Sequence, residues 1–169
     1  YKLSSSVEIG LLKQAIQETI NRHEILHSLI KTDRDGLGYQ EVCDLGKFPL
    51  EINEALVGSW QESVELIKAK VNYVFKLDRE YPIRVSLLLS ETRNNQYLLV
   101  VVHHIAFDGW STDVFLSDIQ AYYDYSVGIS KNLDLLELSI QYKDFAIWQR
   151  GYLSWDRLEH QLSYWRNKL

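Results

Sequence analysis

Apolar residues recur every three or four positions in several stretches of the chain, a spacing that places them on one face of an α-helix. These stretches predict helices over residues 5–22, 59–75, 141–153 and 157–169, and a further helix from residue 111 to a polar connector at 128–134. Ser5 with Glu8, and Ser59 with Glu62, have the spacing of a capping box in which the serine is the N-cap. Ser111 is the predicted N-cap of the helix that starts there.

Two hairpins are predicted between the helices. Turn-forming residues separate apolar stretches at 26–32 and 39–42, and an Asn-Asn pair at 94–95 separates stretches at 83–90 and 96–102. The last stretch does not alternate between apolar and polar residues, so we expect it to be a central strand that is covered on both faces. The sum is a mixed α/β (α+β) fold with packed helices and a largely antiparallel sheet.

The composition narrows the class of protein. The chain has 169 residues, of which 46% are apolar and 24% charged, which is ordinary for a globular protein. Its length suits one domain or part of a larger one. The formal net charge of -5 argues against a nucleic-acid partner, because a nucleic-acid binder would carry a basic face. No apolar run approaches the roughly 18 residues of a membrane span, so no membrane partner is expected.

The cysteine content and the chain ends suggest the protein's context. Cys43 is the only cysteine, which excludes an internal disulfide and makes the reducing cytoplasm the expected location. The chain has no methionine and no secretory signal pattern, and it closes inside a predicted helix. We therefore expect a segment of a longer polypeptide.

The residues with the most chemistry lie in His103-His104-Ile105-Ala106-Phe107-Asp108-Gly109, where two histidines follow an apolar strand. Consecutive strand residues point to opposite faces, so only one of the two imidazoles can face a given cleft. Such a histidine can accept a proton from a nucleophile or hydrogen-bond to it. Asp108 can orient the loop through a salt bridge, and Gly109 allows either a close approach of the backbone to a substrate or a positive φ.

The residues alone leave a simpler interpretation open, in which two structural histidines precede an ordinary turn. A metal site is not expected. Adjacent histidines cannot easily converge on one ion, and no third ligand has a suitable spacing.

The same segment resembles the His-His-x-x-x-Asp-Gly signature of the condensation domains of nonribosomal peptide synthetases. Two further segments resemble motifs of that family in the same order. Arg22-His23-Glu24-Ile25-Leu26-His27-Ser28 is similar to Arg-His-Glu-x-Leu-Arg-Thr. Tyr142-Lys143-Asp144-Phe145-Ala146-Ile147-Trp148 is similar to Tyr-x-Asp-Phe/Tyr-Ala-x-Trp, and Gln161-Leu162-Ser163-Tyr164-Trp165 continues the match.

This resemblance implies a fold like that of chloramphenicol acetyltransferase, in which two similar lobes form a V. Residues 1–169 are then expected to be the amino-terminal lobe. The implied reaction is the formation of an amide bond between aminoacyl or peptidyl thioesters. The implied partners are the carboxy-terminal lobe, the donor and acceptor peptidyl carrier proteins, and an adjacent adenylation domain. No cofactor is expected to bind directly, because the 4'-phosphopantetheine arms belong to the carrier domains.

The resemblance also implies roles for individual residues. His104, the second histidine of the signature, is the expected catalytic residue, either as a base or as a partner that positions the attacking amine. His103 is expected to be structural, Asp108 to hold the loop with Arg22 as a candidate partner, and Gly109 to offer backbone near the reacting carbonyl. His27 stands where the family has an arginine, so a constant positive charge is lost there.

Two other functions stay open. One is an acyltransferase of the same superfamily that uses a coenzyme A thioester. The Arg22-His23-Glu24 and Tyr142-Lys143-Asp144-Phe145 segments argue against it. The other is a non-catalytic docking or structural lobe with apolar surface exposed where the second lobe would pack. The Asp108-Gly109-Trp110-Ser111 continuation favours a condensing domain over epimerization and cyclization relatives. Phe145 and Trp148, at helical spacing, are predicted to be core residues.

Overall fold

The computed structural model describes residues 1–44, 52–90 and 96–169, and these form five α-helices and six β-strands. In chain order they are β1 (Lys2–Leu3), α1 (Ile9–Arg22), β2 (Ser28–Thr32), β3 (Gly38–Val42), β4 (Ile52–Leu56), α2 (Trp60–Val71), β5 (Ile83–Leu89), β6 (Gln96–Val102), α3 (Gly109–Ser126), α4 (Tyr142–Tyr152) and α5 (Trp155–Arg166). A 3₁₀ turn, Glu24–His27, joins α1 to β2. Two compact units result, Tyr1–Leu136 and Glu137–Leu169.

The first unit contains a four-stranded sheet and a separate hairpin. The order in the sheet is β1-β6-β5-β4, and the hairpin pairs β2 with β3. β5 and β6 are antiparallel, with Ile83 opposite Val102, whereas β4 is parallel to β5, with Ile52 opposite Val85. The mixed α/β class and the mostly antiparallel sheet are confirmed. The short strands β1 and β4 were not predicted, because their pairing depends on partners distant in the chain.

The core of this unit lies between one face of α1 and the sheet. The most completely enclosed apolar side chains of this core are Ile16 and Ile20 of α1 and Val85 and Leu87 of β5. α3 packs against α1 and adds buried aromatic and aliphatic residues to the same cluster. The predicted apolar stripe of the first helix is therefore the face that holds α1 on the core.

The start of α1 differs from the sequence prediction. The helix begins at Ile9 with Glu8 as its N-cap, and no side chain caps it. Ser5 is therefore not the N-cap. The backbone N–H of Glu8 donates instead to the hydroxyl of Tyr123, at 2.9 Å, so a residue of α3 satisfies this helix end.

The second capping box is confirmed. Ser59 is the N-cap of α2, and its hydroxyl accepts a hydrogen bond from the backbone N–H of Glu62, at 3.2 Å. α2 ends at Val71, earlier than the predicted residue 75, with Asn72 as its C-cap. Ser63 is its only buried side chain in the described part of the chain, and Trp60 at its start meets the ring of Tyr97 of β6 with the centroids 5.4 Å apart.

β6 is an inner strand of the sheet, as predicted, but its two faces are not fully covered. Gln96 and Leu98 are buried, and the other side chains of β6 are half-buried. β5 is the more completely buried strand. The predicted Asn-Asn turn at 94–95 lies outside the described residues. Within the described ranges, no helix combines the length and the apolar character needed to cross a bilayer.

Candidate functional site

The His-His segment follows β6 directly and is held by backbone hydrogen bonds. The N–H of His103 donates to the carbonyl of Pro82, at 2.8 Å, which extends the pairing between β6 and the start of β5. The Nδ1 atom of His103 accepts a hydrogen bond from the N–H of Ile105, at 3.1 Å, and the ring meets Phe75 edge to face at 5.9 Å. These contacts support the structural role expected for His103.

His104 lies one residue further and is exposed, whereas His103 is half-buried. The two neighbours therefore differ in surroundings, in accord with the alternation of side chains at a strand end. The backbone that carries His104 is fixed on both sides, by the Pro82 hydrogen bond before it and by the N–H of Ala106 donating to the carbonyl of His103, at 3.0 Å, after it. The imidazole of His104 is therefore exposed, and the backbone that carries it is held in place by hydrogen bonds.

Asp108 is the N-cap of α3. Its Oδ1 atom accepts hydrogen bonds from the backbone N–H of Ser111, at 2.9 Å, and from the Ser111 hydroxyl, at 2.7 Å. The Ser111 hydroxyl in turn accepts from the N–H of Asp108, at 3.2 Å, which completes a reciprocal capping box. Ser111 is therefore the N3 residue and not the predicted N-cap. The hydrogen bonds from Ser111, helped by the nearby His104, hold the pKa of Asp108 below its ordinary value.

This cap leads to a stability prediction for the parent domain. Asp108→Ala is expected to lower the melting temperature by about 2–4 °C, because the first N–H groups of α3 lose their acceptor. Asp108→Asn is expected to retain most of the stability, since asparagine is an equally good N-cap. Thermal unfolding of the three proteins, followed by circular dichroism, makes the comparison. An asparagine variant as unstable as the alanine variant would contradict the capping role.

The depressed pKa also predicts how the cap responds to pH. Because the folded-state pKa of Asp108 lies below the unfolded-state value of about 3.9, the stabilisation is fully present above that value. It is lost as the pH falls through the folded-state pKa. The difference in melting temperature between the wild type and Asp108→Ala should thus be constant from about pH 5 to 8 and should shrink below about pH 4. A difference that varied across the neutral range would point to another origin.

Gly109 is the first residue of α3. The described glycines with positive φ are Gly36 and Gly128, so Gly109 does not use the left-handed region. A Cβ placed on Gly109 would meet no atom within 4 Å in the described part of this chain. Of the two interpretations from sequence, the positive φ is wrong, and the close approach of the backbone to a substrate stays a prediction.

Arg22 does not pair with Asp108 as predicted. Its Nε atom lies 3.1 Å from Oδ2 of Asp118, and its terminal nitrogen donates to the carbonyl of Leu136, at 2.6 Å. Nε2 of His23 lies 2.7 Å from the same oxygen of Asp118. The carboxylate of Asp108 is used by the cap at the start of α3, whereas the end of α1 faces the middle of that helix.

Asp118 is the residue of this network that sequence reasoning missed. It is buried on α3 at the edge of the apolar face that carries Phe115 and Ile119. An acid beside an apolar stripe is a signal for a buried ion pair, because a buried carboxylate needs a partner. The network joins the end of α1 to α3, the helix that follows the motif loop.

A cavity of about 230 Å³ lies next to the motif loop. It is lined by His23, Ile25, Leu26, Ala106, Phe107, Trp110, Ser111, Val114 and Phe115. His104 is not in this lining, so the cavity and the exposed imidazole are distinct parts of the same region. Within the described residues, no group of three histidine, cysteine, aspartate or glutamate side chains is arranged to hold a metal ion.

A comparison with protein families now adds to this geometry. The model of the condensation domain matches residues 1–169. The chain belongs to the condensation-domain family.

Its relatives include large peptide synthetases. The chain is 36% identical over 158 residues to N-(5-amino-5-carboxypentanoyl)-L-cysteinyl-D-valine synthase of Amycolatopsis lactamdurans, and the match covers 94% of this chain and 4% of that protein. It is 32% identical over 179 residues to a linear gramicidin synthase polypeptide of Brevibacillus parabrevis, covering 100% and 3%. The condensation-domain chain thus spans a few per cent of the length of these relatives.

Solved structures share the fold. The X-domain from teicoplanin biosynthesis superposes with a TM-score of 0.82 at 27% identity, covering 98% of this chain and 36% of that one. The epimerization domain from the third module of tyrocidine synthetase B gives 0.80 at 22%, covering 98% and 38%. The first condensation domain of the calcium-dependent antibiotic synthetase gives 0.78 at 19%, covering 98% and 40%. The chloramphenicol acetyltransferase-like fold is confirmed.

The third motif of the condensation domain forms an aromatic ladder on α4. Tyr142, Phe145, Trp148 and Tyr152 lie one above the next, with ring centroids 5.9, 5.7 and 5.0 Å apart. Phe145 is 42% and Trp148 56% exposed, so the prediction that they are core residues is wrong for this chain. Asp144 accepts a hydrogen bond from the N–H of Gln141, at 2.9 Å, and so helps to start the helix.

His27 is buried where the condensation-domain motif has an arginine. Its Nδ1 atom lies 3.0 Å from the carbonyl oxygen of Cys43, and its ring meets Tyr81 edge to face at 6.5 Å. Its Nε2 atom is buried without a hydrogen-bond partner among the described residues. His27 precedes β2, whereas Cys43 follows β3 and Tyr81 precedes β5, so the substitution alters the core beside the hairpin and not the motif loop.

Proposed function

We propose that residues 1–169 are the amino-terminal lobe of a condensation domain that forms amide bonds between thioesters carried by peptidyl carrier proteins. The observation that carries the proposal is the exposed imidazole of His104, held by a backbone fixed at the end of an inner strand. The matching family model and the order of the three motifs support it. The share of the solved neighbours that the chain covers, 36% to 40%, supports the assignment to one lobe.

In the proposed reaction, the α-amino group of the acceptor aminoacyl thioester attacks the thioester carbonyl of the donor. A carbon–nitrogen bond forms, the carbon–sulfur bond breaks, and the nitrogen's proton ends on the departing thiol. An α-amino group has a pKa of roughly 7.7–8.0, so about a tenth to a sixth of it is a free amine at pH 7, and only a weak base is needed to maintain that form. Holding the two arms together therefore supplies much of the acceleration. His104 accepts a hydrogen bond or a proton from the attacking nitrogen.

The other residues keep this imidazole in place. His103 anchors the strand end through Ile105, and Asp108 fixes the start of α3 through Ser111. Gly109 offers backbone close to the reacting carbonyl, where a side chain would take up space. Arg22 acts from further away, through Asp118, and so positions α3 rather than the loop itself.

The proposed partners are the carboxy-terminal lobe, the donor and acceptor carrier proteins and a neighbouring adenylation domain. The 4'-phosphopantetheine arms of the carriers would deliver both substrates. The exposure of residues 137–169 supports the carboxy-terminal lobe as a partner. None of the described side chains in this unit is buried. Two helices without buried side chains of their own need another surface to cover their aromatic faces. The cytoplasmic location remains a prediction from the lone cysteine.

The test is a single-turnover reaction of the parent condensation domain with separately loaded donor and acceptor carriers, followed by mass spectrometry. We expect amide product on the acceptor carrier, no product when free coenzyme A thioesters replace the loaded carriers, and no product from residues 1–169 alone. Product from the coenzyme A thioesters would favour the free acyltransferase. No product from the intact parent with any loaded carriers would favour a docking or structural lobe.

A further inference from the structure

We propose that the cavity beside the motif loop receives the apolar side chain of one of the two amino acids that are joined. This inference rests on the proposed function, and it adds a specificity site to it. The cavity is formed by the 3₁₀ turn, the loop residues Ala106 and Phe107, and the first turns of α3. Nothing in the reaction assigned to His104 requires such a cavity.

The lining selects for uncharged, apolar groups. Seven of its nine residues are apolar, among them the buried Leu26 and Phe115. The two polar residues are already engaged, since His23 pairs with Asp118 and Ser111 with Asp108. Among the described residues that form the lining there is no carboxylate or ammonium group, so a charged side chain would lose its hydration there without gaining an ion pair.

The size limits the ligand to a single side chain. Sites for whole drug-sized ligands usually measure about 300–1,000 Å³, and this cavity has about 230 Å³. It is thus too small for an aminoacyl group together with its pantetheine arm. The reacting amine and carbonyl would remain outside the cavity, since His104 is not among the residues that line it.

The position of the cavity brings it within reach of the reacting atoms. Ala106, the first loop residue of the wall, is two residues after His104, so their Cα atoms lie within about 8 Å of each other. An amino acid side chain begins at the α-carbon, one bond from the amine and from the carbonyl. A substrate whose reacting atom lies near His104 can therefore reach the cavity with its side chain.

The walls are held before any ligand arrives. Phe107 meets Phe115 edge to face at 5.8 Å, which joins the loop to α3. The capping box at Asp108 fixes the start of that helix, and the 2.7 Å hydrogen bond between Nε2 of His23 and Asp118 holds His23. A preformed cavity discriminates by size, because its walls cannot adjust cheaply to a larger group.

Val114→Phe narrows the cavity from its rim. Val114 is 53% exposed, so the larger side chain can be accommodated without repacking the core. Val71→Phe is the matched control, since Val71 is also on a helix, is 49% exposed and lies outside the lining. The parent condensation domain is offered mixtures of alanyl-, leucyl- and phenylalanyl-loaded carriers, first as donors with a fixed acceptor and then as acceptors with a fixed donor.

We expect Val114→Phe to lower the use of leucine and phenylalanine relative to alanine by about tenfold or more, either in the donor series or in the acceptor series. The series that responds identifies whether the donor or the acceptor side chain occupies the cavity. Ratios unchanged within about twofold in both series, or shifted equally by Val71→Phe, would overturn the inference. If Val114→Phe lowers the melting temperature, Val114→Leu replaces it in the same comparison.

Failure of the cavity inference differs from failure of the proposed function. If the wild-type parent forms amide and the ratios do not change, only the cavity inference is wrong. If the wild-type parent forms no amide with any carrier, the proposed function is wrong. If Val114→Phe destabilises the parent, Val114→Leu decides the comparison, and ratios that this variant leaves unchanged for both donors and acceptors overturn the inference.

Discussion

Alanine at position 104 is expected to lower amide formation by the parent condensation domain about 10²–10⁴-fold, the usual contribution of a residue that handles a proton in the transition state. The side chain of His104 is exposed, so its removal should leave the melting temperature unchanged. The measurement is the single-turnover rate with saturating loaded carriers. His160→Ala is the matched control, because His160 is exposed on α5, away from the motif in the sequence.

The neighbouring histidine provides the contrast. His103→Ala is expected to lower the melting temperature, because the N–H of Ile105 loses its acceptor and Phe75 loses a ring contact.

A wild-type rate in His104→Ala would remove the imidazole of His104 from the mechanism. A fall in rate that matched a fall in stability would make its role structural.

Glutamine at position 104 separates the two roles that remain open. Its side-chain oxygen can accept a hydrogen bond from the attacking amine, but the amide cannot take up a proton at neutral pH. If His104 positions the amine, His104→Gln should retain the rate within about tenfold of the wild type. If His104 is a base, the rate of His104→Gln should be as low as that of the alanine variant.

Asp118→Ala is expected to have the largest effect on stability, a loss of about 3 kcal/mol in the free energy of unfolding. The side chains of Asp118 and Arg22 are only 9% and 14% exposed, so removing the carboxylate leaves a guanidinium largely out of water without its ionic partner. The Leu136 carbonyl remains as an acceptor for Arg22, which keeps the loss at the lower end of the range for buried pairs. Urea unfolding of the parent domain measures the change.

Two variants show whether burial is the cause. Glu65→Ala removes the acid of an exposed pair with Lys68, whose side chains are 67% and 63% exposed, and should change stability by less than about 0.5 kcal/mol. Asp118→Asn keeps one acceptor oxygen for Arg22 or His23 and should fall between the wild type and the alanine variant. Equal effects of Asp118→Ala and Glu65→Ala would show that the buried network contributes little.

The features that depend on neighbours along the chain could be predicted from the sequence. The end of α1 at Arg22, the N-cap of α2 at Ser59 and the two strand pairs were predicted correctly, because periodicity and capping act over a few residues. The motif around His104 was also evident, because its residues are adjacent in sequence.

The features that join distant parts of the chain became evident only from the packing of the folded chain. Asp118 pairs with Arg22 across 96 positions, and Tyr123 completes the start of α1 across 115. Because Asp108 is the N-cap of α3, its carboxylate accepts hydrogen bonds from Ser111 and does not pair with Arg22. The cavity arose where residues 23–26 meet residues 106–115. Local patterns state which residues are apolar or charged, but the partner of a buried group is set by how the helices pack, and packing is a property of the whole fold.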